Sequence, residues 1–116
     1  MKLSIIIPCY NEEEVLPLIL KQLNTLASDW TSRDEVTEIE FVLVDDGSQD
    51  RTFDLLKETS KEDKRVKVVR FSRNFGHQAA LLAGYELAQG DVIVSLDADL
   101  QDPPELIGSM LDKING

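Results

Sequence analysis

Asp97-Ala98-Asp99 directly follows the apolar run Val92-Ile93-Val94-Ser95-Leu96, so two carboxylates stand at the carboxyl end of a predicted buried strand. In open α/β sheets, ligands gather in the crevice outside the strand C-termini. Hard divalent cations such as Mg²⁺ take oxygen ligands and keep positions open for substrate phosphates. Gln101 supplies a third side-chain oxygen nearby. The spacing therefore reads as a metal site. The competing reading is that Asp97 and Asp99 cap the following turn, because Asp readily hydrogen-bonds nearby backbone amides.

Two further polar segments sit at equivalent places. The first predicted strand ends in Pro8-Cys9-Tyr10-Asn11-Glu12 and the second in Asp45-Asp46-Gly47-Ser48, so three polar loops converge on one sheet edge. Asn11 also suits the N-cap of the first helix, with Glu12 and Glu13 favourable in its first turn. Asp46-Gly47 also suits a tight turn, and Ser48 an N-cap. Arg73 and His77 flank Gly76 at the predicted start of the third helix, where amides and cations can meet an anion. Alternatively Arg73 is a surface charge and His77 a capped helix residue, and His77 is given no catalytic role. Cys9 is the only cysteine. No internal disulfide can form, and its place at the end of an apolar strand points to packing rather than reactivity.

The elements that must position these loops follow from periodicity. Four nearly continuous apolar runs, Leu3 to Ile7, Ile39 to Val44, Val66 to Phe71 and Val92 to Leu96, have the pattern of strands buried on both faces. Between them Val15, Leu16, Ile19, Leu23 and Leu26 follow helical spacing, Phe53 with Leu56 begins a shorter helix after Ser48, and Ala80, Leu81, Gly84, Leu87 and Ala88 make a third. Gly90 is placed to end that helix in the left-handed conformation. A fourth helix is predicted from Asp102 as N-cap, Pro103 at N1 and Glu105 at N3, with Leu106, Ile107, Met110, Leu111 and Ile114 as its stripe. Ser28 to Glu38 reads as an exposed connection anchored by Trp30. The order βαβαβαβα predicts an α/β fold: a mostly parallel sheet with right-handed crossovers and helices on both faces. Four strands are few for a doubly wound sheet, so the chain, which stops at Asn115-Gly116 as the fourth predicted helix ends, reads as a truncated one.

With 116 residues, 42% hydrophobic and 29% charged, the chain has the composition of one globular domain. No apolar stretch approaches the ~20 residues of a membrane helix. Pro8 breaks an N-terminal run already too short for a signal peptide, so a cytoplasmic setting is expected. Twenty-two acidic against twelve basic residues give a formal charge of −10, which disfavours nucleic acid and anionic lipid surfaces. A small anionic ligand remains compatible if a bound metal supplies local positive charge.

Pro8-Cys9-Tyr10-Asn11-Glu12, Val44-Asp45-Asp46-Gly47-Ser48, Arg73-Asn74-Phe75-Gly76-His77, Gly90-Asp91 and Asp97-Ala98-Asp99-Leu100-Gln101-Asp102-Pro103-Pro104-Glu105, taken in order, resemble the family 2 glycosyltransferases over essentially the whole chain. The branch they resemble acts on polyprenyl phosphates and includes dolichol-phosphate mannose synthases and bacterial undecaprenyl-phosphate glucosyltransferases. The resemblance implies a Rossmann-like GT-A fold and an inverting, metal-dependent transfer from a UDP- or GDP-linked sugar to a polyprenyl phosphate. It implies that Pro8, Tyr10 and Glu12 line the nucleotide pocket, with Asp45 or Asp46 contacting the base. It further implies that Asp97, Asp99 and Gln101 hold Mg²⁺ or Mn²⁺ against the diphosphate, Asp97 also lying near the ribose or sugar. Members of the family continue through more sheet, a general-base carboxylate and, in this branch, C-terminal membrane helices. The general base is thus expected beyond Gly116, and no residue of this chain is assigned that role. The parent is then expected at the cytoplasmic face of a membrane. The chain is accordingly expected to be the donor-binding part of a catalytic domain, inactive alone and prone to self-association through unpaired sheet. Two other classes compete: a nucleotide-binding or structural fragment without catalysis, and a phosphoryl-transfer domain. The latter carries its key acidic residues after the first strand, where this chain has Pro8-Cys9-Tyr10-Asn11.

Overall fold

The computed structural model describes residues 1–32 and 36–96. The predicted fourth helix, the residues Asp97, Asp99 and Gln101, and Gly116, past which the general base is expected, lie outside the described residues. Within them the order is β1 (Lys2–Cys9), α1 (Leu16–Thr31), β2 (Glu38–Asp45), α2 (Thr52–Glu62), β3 (Val66–Arg70), α3 (His77–Leu87) and β4 (Val92–Ser95).

The strands form one parallel sheet in the order β3-β2-β1-β4. Chain direction across the sheet therefore reverses between β1 and β4. In doubly wound folds this reversal opens a crevice beyond the strand C-termini, where ligands bind. Alternation along each strand assigns the faces. Leu3, Ile5, Ile7, Ile39, Phe41 and Leu43 pack with Leu16, Ile19 and Leu23 of α1 and Leu56 of α2. On the other face Ile6, Val42 and Val44 pack with Ala80 of α3. Helices thus cover both faces, as the apolar runs required.

Three local expectations are corrected. Ser28 to Glu38 is not wholly a connection, because α1 continues through Thr31. Ala27 and Trp30 prolong its buried stripe, and the hydroxyls of Thr25, Ser28 and Thr31 donate to carbonyls four residues back, so the polar residues are accommodated without ending the helix. Asn11 and Ser48 are not helix N-caps, since α1 begins at Leu16 and α2 at Thr52. Gly90 is not left-handed, for only Asn11, Gly47 and Gly76 have positive φ among the described residues. Glycine is required at 90 by crowding instead: a Cβ there would lie 2.5 Å from Ser4 Oγ and 2.8 Å from the Ser4 amide nitrogen.

Candidate functional site

The loops leaving β1 and β2 are joined by reciprocal hydrogen bonds. Asn11 has φ 51°, a left-handed conformation that Asn tolerates better than most residues. In that conformation its amide donates to Ser48 Oγ (2.9 Å) while its Oδ1 accepts from the Gln49 amide (2.9 Å). The Glu12 amide donates to Oγ1 of the fully buried Thr52 (2.8 Å), and the Glu13 amide reaches Asp50 Oδ2 (3.3 Å). Asp50 Oδ1 accepts from the Thr52 amide (2.9 Å). Burial acts to raise the Asp50 pKa, but the Thr52 hydroxyl and amide and the Glu13 amide outweigh it and hold the carboxyl below its ordinary range.

The two adjacent aspartates after β2 have different surroundings. Asp46 receives the Phe75 amide at Oδ1 (2.8 Å) and the Gly76 amide at Oδ2 (3.2 Å), which ties the segment before α3 to the end of β2. Gly47, with φ 75°, makes that approach possible, because a Cβ would collide with the Arg73 backbone. Asp45 is fully buried and accepts from the Ser48 amide at Oδ1 (3.0 Å). Its Oδ2 has no hydrogen-bond partner among the described residues. Arg70 Nε lies 4.0 Å from it, and the Arg70 guanidinium is held over the Phe53 ring at 4.2 Å.

Of the other residues expected at the site, Pro8 is buried within β1, Tyr10 is 42% exposed and Glu12 is half-buried. Phe75, 52% exposed, carries the Arg73 guanidinium 4.7 Å from its ring centroid and meets Phe71 edge-on at 5.6 Å. The Cys9 thiol is buried, and burial together with the charges of Glu12 and Asp45 pushes its pKa far up. It is therefore a packing residue, as expected.

This edge thus has a buried layer (Asp45, Asp46, Ser48 and Thr52) that fixes the loops and an exposed layer that includes Tyr10, Arg73 and Phe75. Sequence reasoning missed Thr52, Asp50 and the loop-joining role of Asn11. The Asp50-x-Thr52 spacing at the start of α2 was the available clue. No group of three His, Cys, Asp or Glu side chains that could hold a metal occurs among the described residues. Asp46 has each of its oxygens engaged by one amide. Asp97, Asp99 and Gln101, outside the described residues, offer side-chain oxygen ligands of the type a hard divalent cation takes. They follow β4, which lies beside β1 at the switch point.

Comparison with known proteins bears on this edge. The family described as "Glycosyl transferase family 2" matches residues 4–116. An uncharacterized glycosyltransferase, YkcC of Bacillus subtilis (strain 168), is 49% identical over 110 residues, covering 95% of this chain and 32% of its own. The undecaprenyl-phosphate 4-deoxy-4-formamido-L-arabinose transferase of Pseudomonas fluorescens (strain SBW25) is 42% identical, covering 95% and 31%. Among solved structures, S. aureus TarS 1-349 in complex with UDP-GlcNAc has a TM-score of 0.68 and 27% identity, covering 97% of this chain and 32% of that one. The mannosyltransferase PcManGT from Pyrobaculum calidifontis, in complex with GDP-Man and Mn²⁺, has a TM-score of 0.64 and 25% identity, covering 87% and 32%. The chain spans about a third of the length of these relatives. Its α/β architecture is the one these glycosyltransferases share.

Proposed function

Because this chain belongs to glycosyl transferase family 2, we propose that it is the donor-binding part of an enzyme that moves a sugar from a UDP- or GDP-linked donor to a polyprenyl phosphate, with inversion and with help from Mg²⁺ or Mn²⁺. One observation carries the reading. β1 and β4 are neighbours at the switch point of the sheet, so Tyr10 to Glu12 and the acidic segment beginning at Asp97 leave from adjacent strands. The complexes of the similar structures with UDP-GlcNAc and with GDP-Man and Mn²⁺ support the donor class and the metal. The names of the undecaprenyl-phosphate relatives support the acceptor.

In this reading Tyr10 packs against the base, and Glu12 lines the pocket beside Pro8. One of the two aspartates at the end of β2, Asp45 or Asp46, contacts the base. Asp97, Asp99 and Gln101 would hold the metal, which when bound would supply positive charge to the diphosphate leaving group. No residue of this chain is assigned the role of general base. A loop edge bearing Glu12, Glu13, Glu14 and Asp50 repels a diphosphate, which makes the cation necessary to binding. Calorimetry of UDP and GDP with this chain tests the proposal. Binding should appear with Mn²⁺, vanish with chelator, and lose its metal dependence in Asp99→Ala. Equal affinity without metal would refute it. A transfer assay on the longer parent enzyme, rather than on this chain alone, separates this reading from a fragment that binds nucleotide without catalysis.

A further inference from the structure

On the face covered by α3, where Ile6, Val42 and Val44 are apolar, Ser4 and Glu40 break the pattern although both are buried. Ser4 Oγ donates to Glu40 Oε2 (2.5 Å), and the same carboxylate oxygen accepts the Gln89 amide (2.6 Å). Lys67 Nζ stands 2.7 Å from Oε1. Ser4 Oγ also accepts the Gly90 amide (2.8 Å). Next along the chain, the Asp91 amide donates to the Lys2 carbonyl (2.8 Å) and Asp91 Oδ2 receives the Lys2 amide (2.8 Å). Three successive residues before β4 are thus bonded to β1 and β2.

A buried charge is a poor way to gain stability, since well-packed apolar replacements do as well or better. The attested use of such groups is to specify register. β4 has that need. Val92, Ile93 and Val94 are apolar in succession, so a one-residue slip still puts an apolar side chain on each face, and hydrophobic patterning selects the register weakly. The strand has four residues and, among the described residues, pairs with β1 alone. A slip would shift the chain by about 3.3 Å and reverse every side chain.

We infer that Glu40 and Ser4 are positioning residues for β4: by clasping the turn before it they set the register of the strand that the acidic segment follows in sequence. The clasp acts at a distance. Ser4 stands opposite Ile93, four residues before Asp97, or about 13 Å of extended strand. At the other end the Leu96 amide donates to the Ile6 carbonyl (2.9 Å), so the register is carried to the residue bonded to Asp97. This inference rests on the metal-binding reading of Asp97 and Asp99.

The test compares Ser4→Ala, Glu40→Leu and a control, Val68→Ala, which removes core packing from β3 on the opposite face. Two quantities are read on this chain: amide exchange at Val94 and Leu96, and the affinity for Mn²⁺ with UDP or GDP present. The clasp variants should speed exchange in β4 at least tenfold relative to β2 and weaken Mn²⁺ binding at least tenfold. Val68→Ala, despite its loss of stability, should leave Mn²⁺ affinity unchanged. Wild-type β4 protection and Mn²⁺ affinity in Ser4→Ala and Glu40→Leu would overturn the inference, as would an equal Mn²⁺ loss in Val68→Ala. If the wild-type chain binds no Mn²⁺, the donor-binding reading fails instead, and unchanged β4 exchange in the variants would separately refute the clasp.

Discussion

Acid should remove a defined part of this protein's stability through Glu40. Burial acts to raise its pKa, but the Lys67 ammonium, the Ser4 hydroxyl and the Gln89 amide prevail and lower it from 4.5 to about 2. A carboxylate with a depressed native pKa binds its proton more readily in the unfolded chain. Its contribution is therefore complete above about pH 5 and is lost as pH falls towards 2. At about 1.4 kcal/mol per pH unit, the fall from 4.5 to about 2 corresponds to roughly 3 kcal/mol; with Lys67 40% exposed and its share screened by water, about 2 kcal/mol is the better figure. Asp63, beside Arg65, and Asp50 are also lowered and push the wild-type curve the same way, so the assay must be differential. Glu40→Gln retains the shape and one accepting oxygen while removing the charge. Urea unfolding of both proteins at pH 7, 5, 4 and 3 should give a stability gap that is constant from pH 7 to 5 and narrows steadily below it. Parallel curves from pH 7 to 3 would mean that Glu40 is not held ionised by these partners, and the reasoning would fail.

Three further outcomes are expected. Asp46→Ala strands the Phe75 and Gly76 amides, so it should cost about 1–3 kcal/mol and open residues 72–76 to limited proteolysis, with Asp46→Asn, which keeps one acceptor, intermediate in both measurements. Gly47→Ala combines an unfavourable φ with a collision against the Arg73 backbone and should cost about 2 kcal/mol or more, read as a lower urea midpoint. Cys9, with its thiol pKa raised by burial and by neighbouring carboxylates, should resist alkylation at pH 8 in the folded chain and react at the rate of a free thiol in urea; fast labelling without unfolding would contradict its packing role.

The periodic features of this chain were legible in its sequence. The runs at Leu3 to Ile7 and Ile39 to Val44 are apolar at almost every position because both faces of a parallel sheet are covered, and the intervening helical stripes made βαβ order the natural reading. The motifs after β1, β2 and β4 identified the family for the same reason: each is a contiguous stretch. The contacts that shape the site were not legible, because they join residues far apart in the chain. Asn11 meets Ser48 and Gln49, Asp46 receives amides from Phe75 and Gly76, and Glu40 meets Ser4, Lys67 and Gln89. Locally, Asn11 and Ser48 look like caps and Gly90 like a helix terminator, since the side chains that bond nearby amides at a cap can equally bond distant ones. The choice falls to whichever donors remain unpaired once the sheet has assembled. The sequence alone thus determined the elements from β1 to β4, their order and the family, whereas tertiary packing decided which polar groups hold the loops and the turn before β4, because burial and its demand for hydrogen-bond partners exist only in the folded chain.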